Sequence, residues 1–270
     1  MNITPVVKQL LIINVIFFIG SWAVPTANDL LALHNVNSDK FEYWQIITHM
    51  FMHGNLMHIL FNMFALFSFG SALEHFWGGK KFIFFYISCG LGAAALQLGI
   101  NYLEYRDLIA QFSDLNISDS VMHKILNIPI WDAQGNPQVK TFLTDATNIL
   151  RASGYEQLIP KIDGNALLGT AANVQGVMVG ASGAIYGLLV AFAFMFPNAE
   201  LMLIFLPIPI KAKYFVPGLL CLDLILGFGG NSLFGGGDGV AHFAHVGGAI
   251  IGFIMMWYWK KNEFNKNRWN

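Results

Sequence analysis

Residues 177–196 read VMVGASGAIYGLLVAFAFMF, twenty positions without one charged side chain. At 1.5 Å per residue, a helix of about 20 apolar residues crosses the roughly 30 Å hydrocarbon core of a bilayer. The stretch therefore predicts a spanning helix. It carries a hydroxyl, Ser182, between Gly180 and Gly183 near its start. A serine among glycines at a helix start can expose both its hydroxyl and the backbone beside it. The same residues also fit a close-packing face, because Gly183-x-x-x-Gly187 is a small-x-x-x-small pattern. Both readings can hold together.

The rest of the chain supports a membrane location. Of its 270 residues 55% are hydrophobic and only 11% charged, against about 25% charged in soluble domains. Mean hydropathy is +0.53. Five more apolar runs, roughly 6–25, 54–73, 82–103, 213–229 and 241–259, read as spanning helices. The predicted fold class is thus an all-α membrane protein of six transmembrane helices. The stretch 201–210 is apolar but too short to cross, and Pro207 and Pro209 break it, so an interfacial or re-entrant segment is expected. The first run is read as a retained span, because Trp22-Ala23-Val24-Pro25 is a poor cleavage site. Cys89 and Cys221 lie in apolar runs and read as packing residues. A net charge of -1 gives no sign of nucleic-acid binding.

Charge sets the expected orientation. With the N-terminus cytoplasmic, Lys8, Lys80, Lys81, Lys211, Lys213, Lys260, Lys261, Lys266 and Arg268 all fall inside. Acids such as Asp29, Asp39, Asp107, Asp132 and Asp238 collect in the opposite loops. This is the positive-inside pattern, and with an even number of spans it puts both termini in the cytoplasm. The expected organisation is one membrane domain, 1–270, with a polar extracytoplasmic insertion at 104–175 between the third and fourth helices. Leu108, Phe112 and Leu115 in that insertion follow helical spacing.

Polar groups recur where lipid should be. His242 and His245 open the sixth run, followed by Gly247, Gly248 and Gly252, so a neighbouring helix can approach closely. An imidazole within reach of a hydroxyl is the basic arrangement for activating a serine. The alternative is a histidine at a helix end with no chemical part. His49, His53, His58 and Asn62 enter the second run, with His58 and Asn62 four apart and so on one helical face. Donors aimed at one point are what an oxyanion hole requires. The rival is a metal site, but the chain has no H-E-x-x-H, and its one Glu-His neighbour pair, Glu74-His75, lies at the far end of that run. No metal and no cofactor are therefore expected. All three groups fall at the same ends of alternate spans, where independent packing features have no reason to coincide.

Together these residues resemble the rhomboid family of intramembrane serine proteases. Gly180-Ala181-Ser182-Gly183 matches its G-x-S-G, Ala244-His245 with Gly248 and Gly252 its A-H-x-x-G-x-x-x-G, and His58 with Asn62 its H-x-x-x-N. The resemblance implies a six-helix bundle that cleaves transmembrane proteins within the lipid bilayer, with no nucleic-acid partner, Ser182 as nucleophile and His245 as base. It implies His58 and Asn62 as oxyanion donors, Tyr186 as the ring stacked on the base, and Glu74 as a tie between helices. Gly180, Gly183 and His242 are expected to support the site. The family's frequent Trp-Arg pair is Trp44-Gln45 here. No acid is evident to orient His245: Asp223 lies about a span away, and Tyr186 is expected to substitute. The glycine-rich loop 229–239 has the composition of a lid and equally of an ordinary flexible turn. The rival class is a non-enzyme: a membrane-embedded binding or quality-control protein on the same fold, which would lack the serine or the histidine that this chain keeps, or a transporter, for which the spans offer few charged pathway residues.

Overall fold

A computed structural model describes residues 2–24, 26–132, 135–203, 206–229 and 241–264. The glycine-rich loop from 230 to 240, Asp238 included, and the basic residues Lys266 and Arg268 lie outside the described residues. Each apolar run contains a helix. These are α1 (Pro5–Ala23), α2 (Leu56–Trp77), α3 (Gly79–Ala110), and, after three helices of the insertion, α7 (Ser182–Met195), α8 (Ala212–Gly229) and α9 (His242–Phe264). The insertion supplies α4 (Asp119–Leu126), α5 (Val139–Ala152) and α6 (Gly164–Gln175). Among the described residues, α1, α2 and α3 are long and apolar enough to cross a membrane, and α7 is a shorter apolar helix.

Two compact units share the chain. The first comprises Met1–Ala32, Trp44–Gln97 and Met178–Asn270, and the second Leu33–Tyr43 and Leu98–Val177. In the first unit α7 is the central helix, with Gly183, Ala184, Ile185 and Leu188 through Ala191 all buried. Its core partners are Val7 and Leu10 of α1, Leu66 and Leu73 of α2, Phe82, Phe85 and Cys89 of α3, and Met256 of α9. The outer helices point apolar side chains away from this core: Ile12, Ile16 and Ile19 of α1, Phe64 of α2, Ile225 of α8 and Phe253 of α9 are all exposed. Only 22–33% of the apolar windows of α1, α2 and α3 is buried. Helices apolar on their outward faces as well need a non-aqueous surround. The molecule is an integral membrane protein of mostly helical fold.

Glu74, near the end of α2, caps the start of α1. Its carboxylate accepts the Val6 and Val7 N–H groups, each at 2.9 Å, and the Thr4 hydroxyl. Free amides and the positive end of the helix dipole both favour an anion there. Residues 201–210 do turn back, but as a β-hairpin: β1 (Glu200–Leu203) pairs antiparallel with β2 (Leu206–Lys211), Glu200 opposite Lys211.

The second unit has a core of its own. Val121, Ile125 and Leu126 of α4 pack with Phe142, Ala146 and Leu150 of α5 and with Leu167, Ala171 and Val174 of α6. Gln175 fastens this unit by donating to the Leu126 and Ile128 carbonyls at 2.8 and 2.7 Å. The spacing of Leu108, Phe112 and Leu115 does not make a separate helix. Leu108 belongs to the end of α3, and the chain then tightens into a single 3-10 turn, Ser113–Leu115.

Candidate active site

The expected helix start at 177 is displaced to Ser182, the first residue of α7. The preceding segment is held open by Gly180. Its φ of +119° is one that L side chains rarely adopt, and a Cβ there would lie 2.6 Å from His58 Nε2. Only glycine fits both constraints. The Gly180 N–H donates to the His49 carbonyl at 2.9 Å, which anchors the strand of chain leading into the serine. His49 itself is buried, and its Nδ1 lies 2.8 Å from the Gln45 carbonyl.

His58 and Asn62 occupy successive turns of α2. Asn55 caps this helix by accepting the His58 N–H at 2.9 Å. The Gly54 N–H points at His58 Nδ1 over a long 3.5 Å, which favours the tautomer with its proton on Nε2, beside Gly180. Asn62 Nδ2 is buried near the same glycine and has no acceptor among the described residues. A buried amide without an acceptor is costly, and a site that receives an oxyanion supplies one.

His245 approaches from α9. Its Nε2 lies 2.9 Å from Ser182 Oγ. Tyr186, one turn along α7, stacks on the imidazole with centroids 4.2 Å apart and planes 7° from parallel. Close helix approach makes this reach possible. A Cβ on Gly248 would overlap the Gly183 carbonyl, and one on Gly252 would come within 2.8 Å of Gly187 Cα. Gly183 in turn faces Ala93 of α3. The close packing of these glycines and the approach of His245 to Ser182 thus go together.

One expectation fails. An acid does face His245: Asp223 of α8 places Oδ1 2.9 Å from His245 Nδ1 and 2.7 Å from His242 Nδ1. Its carboxylate is buried. The signal was legible, since Asp223 is the one charged residue in the apolar run 214–229, and an ionisable group within a span marks function by default. What hid it is that nothing in sequence fixes which face of α8 turns toward α9. Glu74, by contrast, takes no part in this cluster and serves α1.

Burial dominates the electrostatics around the entry to α2. It lowers His49 from 6.5 to about 4, against hydrogen bonds that raise it. His53 also falls to about 4, through burial first and the neighbouring His58 second. Both imidazoles are neutral at pH 7. As for metals, the one set of three ligand atoms within 4.8 Å of one another among the described residues is Asp223, His242 and His245. His49 and His53 form no such set there.

Comparison with known proteins gives the family. The family description "Rhomboid domain" matches residues 40–112 and 157–262. A mitochondrial rhomboid protein of Schizosaccharomyces pombe, itself uncharacterized, is 26% identical over 82% of this chain and 53% of its own length. The rhomboid protease GlpG of Salmonella newport is 50% identical over 44 residues, 16% of each chain. YdcA of Bacillus subtilis, named as a candidate rhomboid protease, is 29% identical over 32% of this chain and 46% of its own. The matches span about half the length of these relatives or less.

Proposed function

We propose, since the chain belongs to the rhomboid family, that it is an intramembrane serine endopeptidase acting on transmembrane proteins. The observation that carries this reading is the 2.9 Å approach of His245 Nε2 to Ser182 Oγ on two helices locked together by glycines. In the proposed reaction His245 takes the hydroxyl proton as Oγ attacks a peptide carbonyl. The new C–O bond forms, and the oxyanion is received by the Ser182 N–H at the start of α7, by His58 and by Asn62. His245 returns the proton to the leaving amine as the C–N bond breaks. Water then repeats the sequence on the acyl-enzyme and frees Ser182. No step calls for a metal or a cofactor.

The length of α7 suits a recessed nucleophile. Fourteen residues rise about 21 Å, short of a hydrocarbon core about 30 Å thick. With the far end of α7 at one membrane face, its first residue lies below the other. On this reading six helices span the membrane, and the site opens to the outer side of a cell membrane with both termini cytoplasmic. A substrate helix keeps its carbonyls bonded internally, so it must unwind locally before Ser182 can attack.

The test is cleavage of a reporter transmembrane substrate in proteoliposomes, alongside labelling by a serine-directed fluorophosphonate. Ser182→Ala and His245→Ala should each abolish cleavage, and Ser182→Ala should also abolish labelling. Asn62→Ala should lose about 10²-fold, as for one oxyanion donor of several. Cleavage by a well-folded Ser182→Ala protein would defeat the reading.

A further inference from the structure

The Asp223 carboxylate is the feature that a two-residue mechanism leaves unused. It sits in α8 among Leu220, Cys221, Leu222, Leu224 and Ile225, with no other charge in that part of the helix. Burying a carboxylate is expensive unless its oxygens are hydrogen-bonded. Here a single oxygen, Oδ1, faces two imidazole nitrogens at 2.7 and 2.9 Å, and the Tyr186 phenol lies beside the same group. The far nitrogen of one of those imidazoles is the one aimed at Ser182 Oγ. Serine hydroxyl, imidazole and carboxylate therefore form one unbroken line across α7, α9 and α8.

We propose that Asp223 is a positioning residue that makes the dyad a triad, with His242 holding the carboxylate in place. The proposal rests on the serine-protease reading above. An ionised carboxylate can only accept, so His245 Nδ1 must carry the proton, and Nε2 must present its lone pair to the Ser182 hydroxyl. When the serine proton moves to Nε2, the imidazolium that forms is stabilised by the anion on its other side. Asp223 stays ionised throughout, and the proton leaves with the amine. His242 spends its Nδ1 on the same oxygen and so fixes the carboxylate rather than the base. Tyr186 clamps the imidazole plane by stacking, which constrains tilt but cannot choose a tautomer. Choosing it is the task left to Asp223.

Two rivals use the same atoms. A metal held by Asp223, His242 and His245 would spread its ligand atoms to about 3.3 Å, as bonds of about 2.0–2.1 Å in a tetrahedron require. The observed separations from Oδ1 are 2.7 and 2.9 Å, as in hydrogen bonds. A purely structural staple between α8 and α9 would use His242 alone and has no need of the catalytic imidazole.

Full-length protein in proteoliposomes tests this by steady-state cleavage of the reporter substrate, with thermal unfolding followed in parallel. Asp223→Asn should lower kcat by about 10²- to 10⁴-fold, the scale set by loss of the triad carboxylate elsewhere. KM should stay within about twofold, since no substrate contact is removed. Asp223→Glu should recover part of the loss. A folded Asp223→Asn protein with kcat within threefold of wild type, alongside an inactive Ser182→Ala protein, would overturn the positioning role and leave the protease reading standing. Activity in Ser182→Ala would instead overturn the protease reading itself. Loss of wild-type activity on EDTA treatment, restored by zinc, would also overturn the proposal. Should Asp223→Asn not fold, ¹⁵N NMR of the wild-type imidazoles, assigned with single His→Gln variants, decides. A protonated Nδ1 on His245 supports the proposal, and a protonated Nε2 ends it.

Discussion

Single residues around the entry to α2 couple protonation to the shape of the site. His49 and His53 titrate near 4 when folded and near 6.5 when not. Between those values the unfolded chain binds more protons, so stability rises with pH across that window. It is complete above about 6.5 and lost progressively as pH falls toward 4, by up to about 3 kcal/mol for each fully buried imidazole. Because the His49 carbonyl holds the Gly180 N–H, the loss should reach Ser182. The expected outcome is a falling unfolding midpoint from pH 7 to 4.5, with a shallower slope in His49→Gln. A midpoint indifferent to pH over that range would contradict it. Ser182, His245, His58 and Asn62 were each legible in sequence, because a polar group in an apolar run stands out against its surroundings. Asp223 stood out equally, but its partner was set by helix rotation, which composition does not encode.

At the level of elements, the decisive contact is α7 against α9. Gly248 backs onto the Gly183 carbonyl, which is backbone and cannot swing aside. Gly248→Ala should therefore push the helices apart, at about 1–3 kcal/mol for overpacking. A displacement of about 1 Å between base and nucleophile costs on the order of 10²-fold in rate. We expect kcat to fall by at least that much while the unfolding midpoint drops only by several degrees. Unchanged cleavage by Gly248→Ala would show that the helix spacing does not set the reaction geometry. The apolar runs gave away α1, α2, α3, α7, α8 and α9, since length and hydropathy suffice for that, but not the short helices Ala27–Leu31 and Gln45–Thr48. The β-hairpin at 200–211 was hidden, because a short apolar run with two prolines fits several irregular structures equally well. The helix over 139–152 was also hidden, although Phe142, Ala146 and Leu150 already show its buried stripe.

For the molecule as a whole, the sidedness of the membrane can be tested directly. The orientation proposed from the lysines has the segment 104–175 outside and the turn between α2 and α3 inside. In a Cys221→Ser background, Ser153→Cys should react with an impermeant thiol reagent added to intact cells, and Lys80→Cys should react only after lysis. The reverse pattern would invert the proposed orientation. That the insertion would form three helices around their own apolar core was not evident from its composition. Its polar residues dilute the run-length signal that serves so well for spanning segments, and periodicity must be read instead.

The order of the reactive groups along the polypeptide has a bearing on how safely the protein can be made. His58 and Asn62 emerge from the ribosome first, Ser182 next, and His245 63 residues after the serine. In the proposed mechanism the nucleophile thus leaves the ribosome before its base. On the proposed reading, activity switches on only when the final helix docks against its predecessors. Chains arrested at Gly229 should then resist fluorophosphonate labelling, while released full-length chains accept it. Labelling of the arrested chains would mean that translation itself offers no such protection.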